Sequence, residues 1–226
     1  MSFELVQYAS RETMAVQLAG LLADTLATLA TETGAARIAV PGGSTPAPML
    51  SALANAAHVP WSQVTVTLTD ERWVPPTDSR SNQRMLQETL LTGAARAAKT
   101  VPLYADAPDP EAGLAQVAQA IAPVLPLDVT VLGMGGDMHT ASLFPGAEQL
   151  PAALAANAPP VMAIRPASGP EPRITLTAAT LAAAECHILI QGAEKHAALI
   201  HAQELADPLQ APILAVLDGA IVHYAE

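Results

Sequence analysis

The sequence predicts an α/β protein: a mostly parallel sheet with helices on both faces, in a single domain over residues 1–226. Three observations predict it. Short β-branched runs alternate with longer segments of helical periodicity. Polar or glycine-rich clusters follow directly on several of those runs. A length of 226 residues fits one large domain or two small ones, and no convincing linker or fixed-period repeat divides it.

Taken in order, residues 12–30 place Val16, Leu18, Leu21, Leu22, Leu26 and Leu29 at recurring spacings of three and four, an amphipathic helix that Gly34 stops. Ile38-Ala-Val40 is a strand feeding the loop Pro41-Gly-Gly-Ser-Thr-Pro46, and Met49, Leu50 and Leu53 mark a helix after it. Val64-Thr-Val-Thr-Leu68 is a strand that ends abruptly in Thr69-Asp-Glu-Arg72. A helix over Asn82–Leu91 starts on Ser81 or Asn82, and an alanine-rich helix covers 110–122. Asp128–Leu132 is a strand running into Gly133-Met-Gly-Gly-Asp137. In the last third, Val161–Ile164, Ile174–Leu176, His187–Ile190 and Ile213–Val216 read as strands. Thr177–Ala184 and Lys195–Gln203 read as helices, and the proline-rich 159–172 segment reads as a surface loop. Ligands of open α/β sheets bind beyond the carboxyl ends of the strands, where the clusters 41–46, 70–72 and 133–139 fall.

Composition narrows the function classes. Aromatics are 3% against 51% hydrophobic residues, so Leu, Val, Ile and Ala build the core. Ten Lys+Arg against 21 Asp+Glu give a net charge of −11, without the basic footprint of a nucleic-acid protein and unfavourable at an anionic membrane. A small anionic substrate stays open, because a few local donors outweigh a distant field. The one cysteine, Cys186, excludes an intrachain disulfide. No secretory signal or uninterrupted apolar span is evident, so a cytoplasmic protein is expected, a monomer or small homo-oligomer.

Several clusters could carry chemistry. Gly42-Gly-Ser-Thr45 could cradle a phosphate through backbone N–H groups and hydroxyls, or be a tight turn with a helix cap. It lacks the Gly-Lys-Ser/Thr ending of a P-loop, and Pro46 stands where a nucleophile elbow needs glycine. Gly133-Met-Gly-Gly-Asp-Met138 fails as a dinucleotide fingerprint at Met138. Asp137 can orient His139 and raise its basicity, or cap a following helix beside an ordinary surface histidine. Asp70-Glu-Arg72 offers a guanidinium fork for carboxylate or phosphate, or is a solvated turn. Lys195 at a helix start is an unfavourable place for a cation unless an anion joins it, and Arg165 and Arg173 flank the proline-rich loop. The remaining histidines, with Cys186, show no metal-ligand spacing; neither a metal nor a cofactor is expected.

Four segments in order resemble the glucosamine/galactosamine-6-phosphate isomerase and 6-phosphogluconolactonase family. They are Val40–Pro46; Thr69–Pro75 with Ser81-Asn82; Leu132–Pro145; and Arg173–Thr177 with Gly192-Ala-Glu-Lys195. The resemblance is specific to the lactonase branch and covers essentially the whole chain. It implies a Rossmann-like fold and hydrolysis of 6-phosphoglucono-δ-lactone in the pentose phosphate or Entner–Doudoroff route. It implies His139 as general base, Asp137 orienting it or stabilising the imidazolium, Arg72 at the oxyanion or ring end, and Asp70 shaping the sugar pocket. It carries Gly43, Ser44, Thr45, Arg173 and Lys195 over to the phosphate. The family usually has Asp-Gly-His where this chain has Asp137-Met138-His139, so either position 138 is not left-handed or the loop is strained. Two rivals differ in class. A deaminase or isomerase of the same fold carries an Asn-Glu-Pro turn where this chain has Leu143-Phe-Pro145. A non-catalytic sugar-phosphate sensor of a transcriptional regulator wants a basic helix-turn-helix segment, which this acidic chain lacks.

Overall fold

A computed structural model describes residues 2–167, 169 and 171–226; Ser168 and Pro170 of the proline-rich loop, and Met1, lie outside the described residues. Seven strands form one fully parallel sheet: β1 (Glu4–Tyr8), β2 (Ala36–Val40), β3 (Val64–Leu68), β5 (Lys99–Val101), β6 (Val129–Gly133), β9 (Glu185–Gln191) and β10 (Ile221–Ala225), in the spatial order β1-β10-β9-β6-β2-β3-β5. A second, antiparallel sheet of three strands joins β4 (Asp70–Arg72), β8 (Arg173–Leu176) and β7 (Val161–Ile164) in the order β4-β8-β7.

Helices cover the parallel sheet as expected. They are α1 (Arg11–Thr33), α2 (Ala47–Leu53), α3 (Asn82–Thr89), α4 (Pro110–Ile121), α5 (Leu150–Ala153), α6 (Ala178–Ala182) and α7 (Ala193–Leu205). α1 shows why. The Ser10 hydroxyl accepts from Thr13 N–H at its start, and left-handed Gly34 returns its N–H to Ala30 at its end. Met14, Leu18, Leu22 and Leu26, four apart, are fully buried. By length and composition alone α1 could cross a membrane, but that stripe packs into the core. The strands are buried on both faces: Val64, Val66, Leu68, Val129 and Val131 are inaccessible to solvent.

Three readings need correction. Ile213–Val216 is not a strand: Pro212–Val216 is a 3₁₀ turn, and the strand is β10, further on. A four-residue apolar run does not by itself separate strand from helical turn. Residues 70–72 are not a solvated turn but β4, with Asp70 and Glu71 buried. No helix follows Asp137 for it to cap; residues 134–149 form a loop with one Thr140–Leu143 bridge.

The order of strands fixes where the site lies. From β2 the chain winds outward to β3 and β5; from β6 it winds the other way, to β9 and β10. β2 and β6 are hydrogen-bonded neighbours at the reversal, so their carboxyl ends open a crevice. The 41–46 and 134–139 loops leave from those two ends, and β4 and β8 stand over them.

Candidate active site

A cavity of about 380 Å³ occupies the crevice. Gly43, Ser44, Thr45, Asp70, Arg72, His139, Arg173 and Lys195 all line it. Of the expected site residues, Asp137 alone stands behind the wall, bonded to His139.

The imidazole is held firmly. Asp137 Oδ1 lies 2.5 Å from His139 Nδ1 and also accepts from His139 N–H at 3.3 Å. The hydrogen bond from His139 holds the Asp137 carboxyl below its usual range, so it is an anion at neutral pH and only accepts. Nδ1 therefore carries a proton, and Nε2 has no hydrogen-bond partner among the described residues. Gly135 makes room for the pair: a Cβ there would fall 2.2 Å from His139 Nδ1 and 2.5 Å from Asp137 Oδ1.

The preceding residue is strained. Met138 has φ 65°, left-handed, and Ala141 has φ 47°. For a residue with a Cβ this costs about 1–2 kcal/mol. Three bonds hold the loop: Gly135 N–H to the His139 carbonyl at 2.9 Å, Met138 N–H to the Gly135 carbonyl at 3.1 Å, and Ile213 N–H to the Met138 carbonyl at 3.1 Å. The last comes from the 3₁₀ turn over Pro212–Val216, and Met138 packs partly buried against the core.

The opposite wall comes from the small sheet. Its register places Arg72 directly across from Arg173. Like charges so placed repel unless an anion joins them. Both guanidinium Nε atoms are buried without a hydrogen-bond partner among the described residues. Burial, and then the Arg72 charge, push the Arg173 pKa down, while Asp70 opposes this. Arg72 also donates from Nη1 to the Arg80 carbonyl at 2.5 Å. Glu71 anchors the corner by accepting from the N–H groups of Arg72, Asn82 and Gln83 and from the Ser81 hydroxyl. Burial pushes the Glu71 carboxyl up against those four donors. Asp70 accepts from Ser142 Oγ at 2.6 Å, tying β4 to the base loop.

Lys195, in the first turn of α7, lines the cavity as well; burial lowers its pKa and the Asp137 charge opposes this. Arg165 is absent from the cavity wall and pairs instead with Glu111. Asn82 and Phe144, which lie within the segments that carry the resemblance but were assigned no role, line the cavity too. Asn82 donates to the Asp70 carbonyl at 2.8 Å, and a Cβ on Gly42 would lie 2.0 Å from its Oδ1, so loop and helix meet there only through glycine. The remaining histidines stay outside: His187 and His223 are buried in the sheet and His58 pairs with Asp24. Cys186 is buried, its thiol pushed up to about 12, which rules it out as a nucleophile.

Comparison with known proteins decides the family. The profile described as glucosamine-6-phosphate isomerases/6-phosphogluconolactonase matches residues 9–223. The chain belongs to this family. Within the isomerase and lactonase family, a 6-phosphogluconolactonase of Mesorhizobium japonicum is 42% identical over 222 residues, covering 97% of this chain and 92% of that one. The crystal structure of a 6-phosphogluconolactonase from Shewanella baltica superposes with a TM-score of 0.95 at 32% identity, covering 100% and 98%. A monomeric glucosamine-6-phosphate deaminase superposes with a TM-score of 0.82 at 17% identity, covering 99% and 98%. At that identity the likeness is one of fold alone. Family membership thus leaves the choice of reaction to the residues around the cavity and to the closer relatives.

Proposed function

We propose that this chain hydrolyses 6-phosphoglucono-δ-lactone to 6-phosphogluconate, with His139 activating the water. The observation that carries the mechanism is the Asp137–His139 pair: Nδ1 is held by an ionised carboxylate, which leaves Nε2 as the nitrogen available to a water, on a ring that lines the cavity. A δ-lactone is an activated ester and needs no covalent nucleophile. It needs a positioned water, a base for its proton, and donors for the oxyanion. His139 Nε2 takes the proton as water adds to the lactone carbonyl. Asp137 steadies the imidazolium, and Arg72 faces the developing oxyanion. When the ring C–O bond breaks, the imidazolium returns the proton to the leaving hydroxyl. Asp70 shapes the sugar pocket. Gly43, Ser44, Thr45, Arg173 and Lys195 receive the phosphate. Relatives 40–42% identical carry the lactonase name over 97% of the chain, which supports the same substrate here.

The account uses neither metal nor organic cofactor and no macromolecular partner. It fits a single-domain cytoplasmic enzyme, as a monomer or small homo-oligomer. His139→Gln keeps a polar side chain of similar reach but cannot take the proton. Turnover is expected to fall by roughly 10²–10⁴, the usual worth of a general base. Stopped-flow titration of the acid released from fresh lactone, corrected for spontaneous hydrolysis, measures it. Near wild-type turnover in a folded variant would remove His139 from the mechanism.

A further inference from the structure

The chain has two phenylalanines, and one of them, Phe144, lines the cavity. In a protein that is 3% aromatic, a ring in the site asks for a reason. Its neighbours supply one. The Phe144 ring centroid is 4.6 Å from that of His139, tilted by 44°. The Arg173 guanidinium carbon lies 5.9 Å from the same centroid. One ring therefore touches both the base and a phosphate-side cation, which come from separate parts of the chain: the loop after β6 and the first residue of β8.

Arg173 needs such a support. Its Nε is buried without a hydrogen bond among the described residues, and its cross-strand partner is another arginine. A ring face attracts a guanidinium through its quadrupole, and more strongly where water is excluded. The backbone beneath the ring is fixed: Ala147 N–H donates to the Phe144 carbonyl, and the Thr140–Leu143 bridge closes the turn before it. Asp137 holds one edge of the His139 ring at Nδ1, and the Phe144 ring packs beside it and sets its remaining tilt.

We propose that Phe144 is a positioning residue linking the two ends of the site. An anion drawing Arg173 into place shifts the ring, and the ring sets the attitude of the His139 imidazole. Phosphate recognition is then coupled to the base through one side chain that touches no reacting atom. This inference rests on the roles given above to His139 and Arg173.

The test uses Phe144→Leu, which keeps apolar bulk, and Phe144→Tyr, which keeps the ring. The first readout needs no turnover: the His139 ring C–H signals are followed by NMR as inorganic phosphate is titrated into the protein. In the wild type and Phe144→Tyr, phosphate is expected to move those signals; in Phe144→Leu the movement is lost although phosphate still binds. The second readout is kinetic. Phe144→Leu is expected to lower kcat on the phosphorylated lactone by roughly tenfold, the factor equivalent to about 1.4 kcal/mol. Phe144→Tyr restores it. On unphosphorylated gluconolactone, which does not engage Arg173, the loss in Phe144→Leu is expected to be smaller than on the phosphorylated lactone, because only the packing of the ring against His139 is missing there. Identical phosphate-induced shifts in the Leu variant, or equal kinetics of the Leu and Tyr variants on the phosphorylated substrate, would overturn the proposal. A wild-type protein without lactonase activity defeats the functional reading; the phosphate titration still decides whether ring and base are coupled.

Discussion

At the residue scale, the lysine at the start of α7 carries the clearest expectation. A cation in a helix's first turn opposes the helix dipole, and burial disfavours its charge further. Both costs disappear when a phosphate arrives. Lys195→Ala is expected to raise KM for the phosphorylated lactone by the equivalent of about 1.5–3 kcal/mol, the range for hydrogen bonds to charged groups. Plain gluconolactone, assayed beside it, is expected to lose nothing. Equal damage to both substrates removes Lys195 from phosphate recognition. The place of these residues in the site was legible because each residue's chemistry is local: a cation out of place, a carboxylate two positions from an imidazole. Met138 was legible as a dilemma, and its φ of 65° resolves it towards strain. Asn82 and Phe144 were not legible, because their value lies in contacts across the fold, to Gly42 and Asp70 in one case and to Arg173 in the other.

At the scale of elements, long helices and buried strands were read well and short ones poorly. α1 announces itself through repeated apolar spacings, and β3 through its β-branched run. β1, β5 and β10 passed unread. β5 is three residues of Lys-Thr-Val, and β10 mixes His223 and Tyr224 into its run. Their strand state comes from neighbours in the sheet more than from their own residues. His223 of β10 is the middle of a chain of polar groups that crosses the sheet. Tyr8 Oη meets His223 Nδ1 at 2.8 Å, His223 Nε2 meets His187 Nδ1 at 3.0 Å, and His187 Nε2 meets Glu185 at 2.9 Å. Burial, with His187 beside it, lowers the His223 pKa to about 4, and burial also lowers that of His187 against the pull of Glu185. In the unfolded chain a histidine binds its proton near pH 6.5. Between those values the unfolded state holds more protons, so stability is complete above about pH 6.5 and falls as the pH drops towards 4. The loss from His223 is roughly 3 kcal/mol, since each pKa unit is worth about 1.4 kcal/mol. His223→Gln keeps a hydrogen-bonding side chain without the titration. Urea midpoints at pH 7 and pH 4.5 are expected to fall more in the wild type than in this variant; equal falls contradict the assignment.

At the scale of the whole molecule, strand–helix alternation predicted a mostly parallel sheet, and the main sheet is parallel throughout. The strand order could not be read locally, because it depends on which way each crossover turns. Yet that order creates the site, by making β2 and β6 neighbours at the reversal and bringing two distant loops to one crevice. The small β4-β8-β7 sheet brings the second wall; β7 and β8 were read as strands, but not β4 nor their pairing into a separate sheet. The same fold serves a glucosamine-6-phosphate deaminase, so fold does not choose the reaction. Titrating groups do. Moving a proton between carbons and protonating a leaving amine calls for more acid–base groups than water attack does. Among the described residues that line the cavity, Asp70 is the one carboxylate, and the Leu143-Phe-Pro145 turn contributes none. The most direct measurement gives one purified protein two substrates side by side: fresh 6-phosphoglucono-δ-lactone, followed by acid release, and glucosamine 6-phosphate, followed by ammonia. The account predicts lactone hydrolysis well above the spontaneous rate and no ammonia; ammonia at a comparable rate, or lactone lost no faster than in buffer, would contradict it.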